Sequence, residues 1–252
     1  ALRTIENADY GKGSKAEAIN RHLTCLNRLD NSDWLPPAIS YLARYGAHPN
    51  LVLPFLRDLE RLAYALFLRR APVNERIDRY IRILDASDRD QPLDQEDSPL
   101  QLSYTEKQRV LEVLEGPLFT QVQLRLPVLL RLEDELAGGA HGHSHLRILS
   151  VEQVLPPAQV GEGGWDQLFP DAAARRDLAH QLGNLVLIPR TKNPEAQKWD
   201  FERKKQEYLT RGGETPFALS AQILEAPEWT PEVLERRHRQ LVGTLAKAWQ
   251  LR

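Results

Sequence analysis

Between positions 148 and 209 the sequence concentrates polar groups whose types suit phosphodiester hydrolysis. Glu152 and Gln153 stand just before Leu155-Pro156, His180 and Asn184 bracket the start of HQLGNLVLIP, and Asn193 follows it. Lys198, Arg203, Lys204 and Lys205 come next. A carboxylate and an amide oxygen brought together from neighbouring elements, with waters and a substrate phosphate, form a shell that Mg²⁺ (or Mn²⁺) accepts. Such an ion polarises a phosphoryl oxygen and stabilises the leaving oxygen. A nearby imidazole would take the proton of the attacking water, and basic side chains would hold the backbone of the strand being cut.

The elements that must position these groups are short. Residues 148–154 and 184–188, rich in Leu and β-branched side chains, read as strands. Residues 194–209 read as a charged helix with Pro194 in its first turn. Trp165 and Phe169, in the loop between the strands, either pack that loop or touch DNA. Helices follow at 218–225 and 231–250, the second capped by Thr230 with Pro231 at its first position. Leu241, Leu245 and Trp249 recur at helical spacing and read as core.

Upstream, residues 14–136 read as helices. Ser14 with Glu17 and Ser103 with Glu106 have capping-box spacing. Phe55, Leu59, Leu62 and Leu66 share one stripe, with Arg57, Asp58, Glu60 and Arg61 mostly off it, as in an amphipathic helix. Ile77, Ile81 and Leu84 mark a shorter one. Pro127 predicts a kink within 124–136. Residues 137–145 (AGGAHGHSH) read as a linker; His141, His143 and His145 lack the firm four-ligand setting of structural zinc. The predicted organisation is a helical spacer region at 1–136, a linker at 137–145 and a second domain at 146–252.

Composition narrows the function classes. The 252 residues are 42% hydrophobic and 27% charged, enough for a packed core. No apolar run is long enough to span a membrane. Thirty-three basic residues against 35 acidic ones give a net charge of −2, which excludes a uniformly basic coat but not a local basic patch. The single cysteine, Cys25, rules out an internal disulfide framework and fits a cytoplasmic location. A chain that starts at Ala1 and contains no methionine reads as a piece of a longer protein.

The segments VEQVLPP, HQLGNLVLIPRTKN, FERKKQEY and EWTPEVLERRHRQLVGTLAKAW together resemble the C-terminal HNH-type nuclease domain of GmrS/GmrD-like restriction endonucleases. That group includes nicking subunits of phosphorothioate-sensing phage-defence systems. The resemblance covers about 148–250. It implies an α+β, mainly helical fold, with a ββα-metal nuclease domain closed by C-terminal helices. It also implies Mg²⁺-dependent cleavage of double-stranded phage DNA, and an N-terminal nucleotide-hydrolysing domain of the same protein as partner. Position by position, Glu152 and Asn193 match metal ligands, and Gln153 falls where the family has its general-base histidine. Asn184 matches the Asn that orients the base, and His180 the histidine of His-x-Leu-Gly-Asn. Lys204 matches the lysine of Phe-x-x-Lys, a phosphate contact or a tether. Arg190, Lys192 and Lys198 join it as expected DNA contacts.

Gln153 departs from that pattern. An amide has no useful basicity near neutral pH. Three readings stay open: an introduced substitution, a degenerate homologue, or transfer of the base role to His180. From 190 to 207 six basic residues face four acidic ones, so that stretch also reads as a solvated helix face. Asn184 and Asn193 are also ordinary turn residues. The rival functions are a catalytically dead DNA-binding or protein-interaction module on the same scaffold, and a helical scaffold with no nucleic-acid role.

Overall fold

The computed structural model describes residues 1–138, 149–158, 164–189, 199–209 and 217–252. Among these, no helix is long and apolar enough to cross a membrane. The chain groups into two compact units, Ala1–Val110 with Leu251–Arg252, and Leu111–Gln250. The helical stretch expected to run as one region to 136 is therefore divided, and its last part groups with the strands. Most of the expected linker, and its three histidines, lie outside the described residues.

The first unit holds α1 (Leu2–Asn7), α2 (Ser14–Asn27), α3 (Leu35–Tyr45), α4 (Pro49–Leu68), α5 (Val73–Asp88) and the start of α6 (Tyr104–Glu115). α4 packs against both α2 and α3. It is consequently buried nearly all round, and Asp58, Glu60 and Arg61, expected on a solvated side, are all inside. Buried charges need partners, and these have them. Glu60 Oε2 lies 2.5 Å from His22 Nδ1. Asp58 accepts from Arg57 at 2.9 Å and from Gln101 at 3.1 Å, and Arg61 donates to Gln101.

On α5 the expected stripe is the outer one. Ile77 and Ile81 are 42% and 48% exposed, while Tyr80, Ile83 and Ala86 are buried. The helix carries two apolar rows, and contact with α3 buries the aromatic one; periodicity alone does not rank them. Of the two capping boxes, the second forms: Ser103 N–H donates to Glu106 Oε2 at 2.8 Å and Glu106 N–H to Ser103 Oγ at 3.3 Å. The first does not, because Ser14 is already helical and the N-cap is Gly13 at φ 106, where a side chain is strained.

The second unit contains a 3₁₀ turn (Leu118–Thr120), α7 (Val122–Leu136), β1 (Leu149–Gln153), α8 (Trp165–Leu168) and α9 (Ala172–His180). A 3₁₀ turn (Leu182–Asn184) leads into β2 (Leu185–Pro189). After it come α10 (Phe201–Arg203), continued by a π-helical turn (Lys204–Leu209), then α11 (Ala218–Glu225) and α12 (Pro231–Ala248). α7 runs through Pro127 without a break. β1 and β2 pair antiparallel, with Gln153 opposite Leu185 and Glu152 opposite Val186.

Val186 and Ile188 join Val154, Trp165, Phe169, Phe201 and Trp229 in one buried cluster, so Trp165 and Phe169 pack the core. Of the helix expected over 194–209, residues 194–198 lie outside the described residues; a helix starts at Phe201, where the Asp200 carboxylate caps it by accepting from Arg203 N–H at 2.7 Å. α12 starts as expected: Thr230 caps it by accepting from Val233 N–H, with Pro231 first in the helix. Leu241, Leu245 and Trp249 are buried.

α12 approaches the Leu182–Asn184 turn so closely that only glycine fits at 183. A Cβ there would lie 2.6 Å from His238 Cβ and 2.7 Å from the Leu234 carbonyl oxygen. Gly183→Ala is expected to destabilise the second unit by about 1–3 kcal/mol through this overpacking. Urea unfolding followed by tryptophan fluorescence measures it, and an unchanged midpoint would refute the close approach.

Candidate functional site

The site is built where β1 ends. Strand alternation sends Ser150 and Glu152 to one face and Val151 and Gln153 to the other. The three residues after Gln153 are each fixed by a buried polar side chain from a different element. Lys204 Nζ donates to the Val154 carbonyl at 2.6 Å. Asn184 Oδ1 accepts from Leu155 N–H at 2.8 Å, and its Nδ2 donates to the Leu155 carbonyl at 2.9 Å. Arg175 Nε donates to the Pro156 carbonyl at 3.1 Å, while its Nη1 binds Asp166. An extended exit that could otherwise fray is thereby held to one geometry.

Asn184 is fully buried, and its amide is saturated. Beyond the Leu155 pair, Nδ2 donates to the Ala179 carbonyl at 2.9 Å and Oδ1 accepts from Trp229 Nε1 at 3.2 Å. The residue therefore acts on the site through β1 and α9. A further support comes from α12. Arg237 donates to the carbonyls of Gly183 (2.5 Å), Leu185 (3.1 Å) and Leu219 (3.0 Å), and to Gln222 Oε1 at 3.2 Å. Burial lowers its pKa from the usual guanidinium value, and four oxygen acceptors favour the charged form.

Gln153 faces α9. Its Nε2 donates to the Ala179 carbonyl at 2.6 Å and lies 3.2 Å from His180 Nδ1. The carbonyl contact fixes the amide orientation, since the reverse would set two oxygens together. Gln153 thus has its second N–H for His180, whose Nδ1 is then the acceptor and whose Nε2 carries the ring proton. Among the described residues His180 Nε2 has no hydrogen bond. The same imidazole stacks on Phe119, with centroids 5.9 Å apart and planes at 9°. Arg125 also covers the Phe119 ring, its Cζ 4.4 Å from the centroid. Phe119 and Arg125 come from a stretch read in the sequence as spacer, and nothing in local spacing marks them.

Glu152 is half-buried and accepts from Ser150 Oγ at 2.8 Å. One carboxylate with one hydroxyl donor suits a hard cation that draws its other oxygens from water and substrate. Among the described residues no three of His, Cys, Asp and Glu converge on a metal position. Arg190, Lys192, Asn193 and Lys198 lie outside the described residues.

Lys204 is 2% exposed, so the contact it makes is the tether to β1. Burial pulls its pKa down to about 8; Glu152 opposes that shift and Arg175 adds to it. Below pH 8 both folded and unfolded chains carry this proton, and the folded state bears the desolvation cost in full. Between about 8 and 10.4 only the folded state releases it, so stability from this group rises with pH. Measured in EDTA against Lys204→Met, the parent is expected to gain roughly 3 kcal/mol between pH 7 and 10.5. A pH-independent difference would refute a buried, titrating ammonium.

A family model described as the C-terminal domain of GmrSD restriction endonucleases matches residues 104–244. That is more than half of the chain, and it takes in β1, β2 and Phe119. No curated protein and no solved structure matches.

Proposed function

Because the chain belongs to the family of GmrSD restriction endonuclease C-terminal domains, we propose that its second unit is a metal-dependent DNA endonuclease domain of the HNH type. In this reading β1, β2 and the helix from Phe201 are the ββα core, and the product is a nick in double-stranded phage DNA. Glu152 and Asn193 would hold Mg²⁺ (or Mn²⁺), which when bound supplies Lewis-acid stabilisation of charge on the scissile phosphate. The chain's own residues do the rest: Asn184, Lys204 and Arg175 hold the exit of β1, and His180 offers an N–H donor. Arg190, Lys192 and Lys198 would contact the DNA backbone. A nucleotide-hydrolysing domain of the same protein would control cutting, in the cytoplasm.

The observation that carries this reading is the clamped exit of β1. Three buried polar side chains fix the segment directly after the Glu152-Gln153 pair, within the residues the family model covers. Such rigidity around two half-buried polar groups suits a reaction that needs sub-ångström placement.

One observation favours a second reading, a DNA-binding or interaction module without catalysis. Gln153 brings an amide, not an imidazole, to the base position, and the only lone pair of neutral His180 points back at it. Supercoiled-plasmid relaxation in Mg²⁺ and in Mn²⁺ separates the two, with the chain run beside Gln153→His and beside Gln153→His/Glu152→Gln. Open circles from Gln153→His that vanish with Glu152→Gln support the nuclease. Intact plasmid in every lane and both metals overturns it in favour of the module.

A further inference from the structure

We propose that Arg125 and His180, both seated on Phe119, form a phosphate cradle that receives the backbone of a nucleic-acid strand beside the end of β1. The inference rests on the reading of the second unit as a DNA-cleaving domain and adds two anion contacts to it.

The cradle is built on the Phe119 ring. It is half-buried, so its contacts with the Arg125 guanidinium and the His180 imidazole order two side chains at the surface at small entropic cost. Arg125 is further anchored by donation from Nη1 to the Phe119 carbonyl at 2.9 Å. One hydrogen bond uses one of five guanidinium donors, and the others remain for an anion. His180 presents the complementary group. Gln153, locked on the Ala179 carbonyl, uses the lone pair at Nδ1, which leaves Nε2–H as a donor and no ring nitrogen to accept a proton. The imidazole is therefore a ligand for the phosphate, not the base for the water. Arg176 is exposed one helical turn before His180 on α9, which puts a second positive charge on the same face.

Fluorescence anisotropy with a labelled duplex, in EDTA at 50 mM salt and upward, tests the cradle without requiring cutting. Loss of one phosphate contact lowers affinity roughly ten-fold at 50 mM salt and makes the slope of log K against log salt shallower by about one. Arg125→Ala is expected to show both effects, and His180→Ala a loss of affinity with the slope unchanged, because a neutral imidazole donor releases no counterion. Arg239→Ala, an exposed arginine on α12 paired with Glu235, is expected to leave binding unchanged. His180→Gln keeps a donor near the Nε2 position and has no basicity, so it is expected to bind within about two-fold of the parent, where His180→Ala does not. Thermal midpoints show that each variant is folded.

If the parent binds and the Arg125 and His180 variants bind as tightly with the same slope, the cradle is overturned while the nuclease reading stands. If His180→Gln behaves as His180→Ala, the donor assignment falls. No binding by the parent at 50 mM salt overturns both. A long-range ¹H–¹⁵N spectrum of the imidazoles gives a second readout: a protonated Nε2 on neutral His180 supports the cradle, and a protonated Nδ1 refutes it.

Discussion

Asn184→Ala is expected to lower the stability of the second unit by about 3–5 kcal/mol, the range for truncating one partner in a buried polar network. The wild-type amide makes four hydrogen bonds with no exposure to water. Alanine leaves Leu155 N–H, the Leu155 carbonyl and Trp229 Nε1 without a partner. The Ala179 carbonyl keeps only Gln153. Each buried orphan costs about 1–3 kcal/mol, and local relaxation makes the sum less than additive. Asn184→Asp fares no better, since a carboxylate would face two carbonyl oxygens where Nδ2 now donates.

Four of the five tryptophans, 165, 199, 229 and 249, belong to the second unit, so urea unfolding followed by their fluorescence reports on it directly. A midpoint equal to the parent's would sink the structural role. The expected result also bears on how activity is read. Lost cutting in an Asn184 variant would report a lost fold, whereas Glu152→Gln alters a half-buried side chain and leaves the clamps intact.

Much of this arrangement is legible in the sequence, for physical reasons that differ from element to element. The two strands are found within one residue because short β-branched runs between turn residues have few alternatives. The cap at Thr230 and the core stripe of α12 follow from local chemistry alone. Glu152, Gln153, His180 and Asn184 stand out through the motif resemblance; taken singly, Asn184 is an ordinary turn residue and Glu152 an unremarkable carboxylate. Arg175 looks like an ordinary surface cation in sequence, and Lys204 is marked only by the Phe-x-x-Lys resemblance, which leaves phosphate contact and tether both open, since their burial is decided by carbonyls 19 and 50 residues away. Phe119 and Arg125 are invisible for the same reason: their meaning comes from a histidine about 60 positions later. The inverted face of α5 and the buried charges of α4 fail in the opposite sense, because periodicity describes a helix and says nothing about how many neighbours cover it.

Gln153→His is expected to raise plasmid nicking by roughly 10²–10⁴-fold, the usual worth of a positioned general base. The pocket already contains what a histidine there would need. The Ala179 carbonyl, 2.6 Å from Gln153 Nε2, can accept from one ring nitrogen as it now accepts from the amide, which fixes the tautomer and leaves the other nitrogen to take a proton. The gain should follow the ionisation of an imidazole, rising with pH to a plateau above about 6.5. Gln153→Ala separates chemistry from packing, because it removes the amide and adds no base, and it should cut no faster than the parent. If the His and Ala variants are equally slow in both metals, position 153 is not where the proton goes. Were the parent itself to cut at the rate of the His variant, the base would have to lie elsewhere, and His180 would qualify only if Gln153 released its Nδ1. The ¹⁵N spectrum of that ring, taken with duplex bound, shows whether it does.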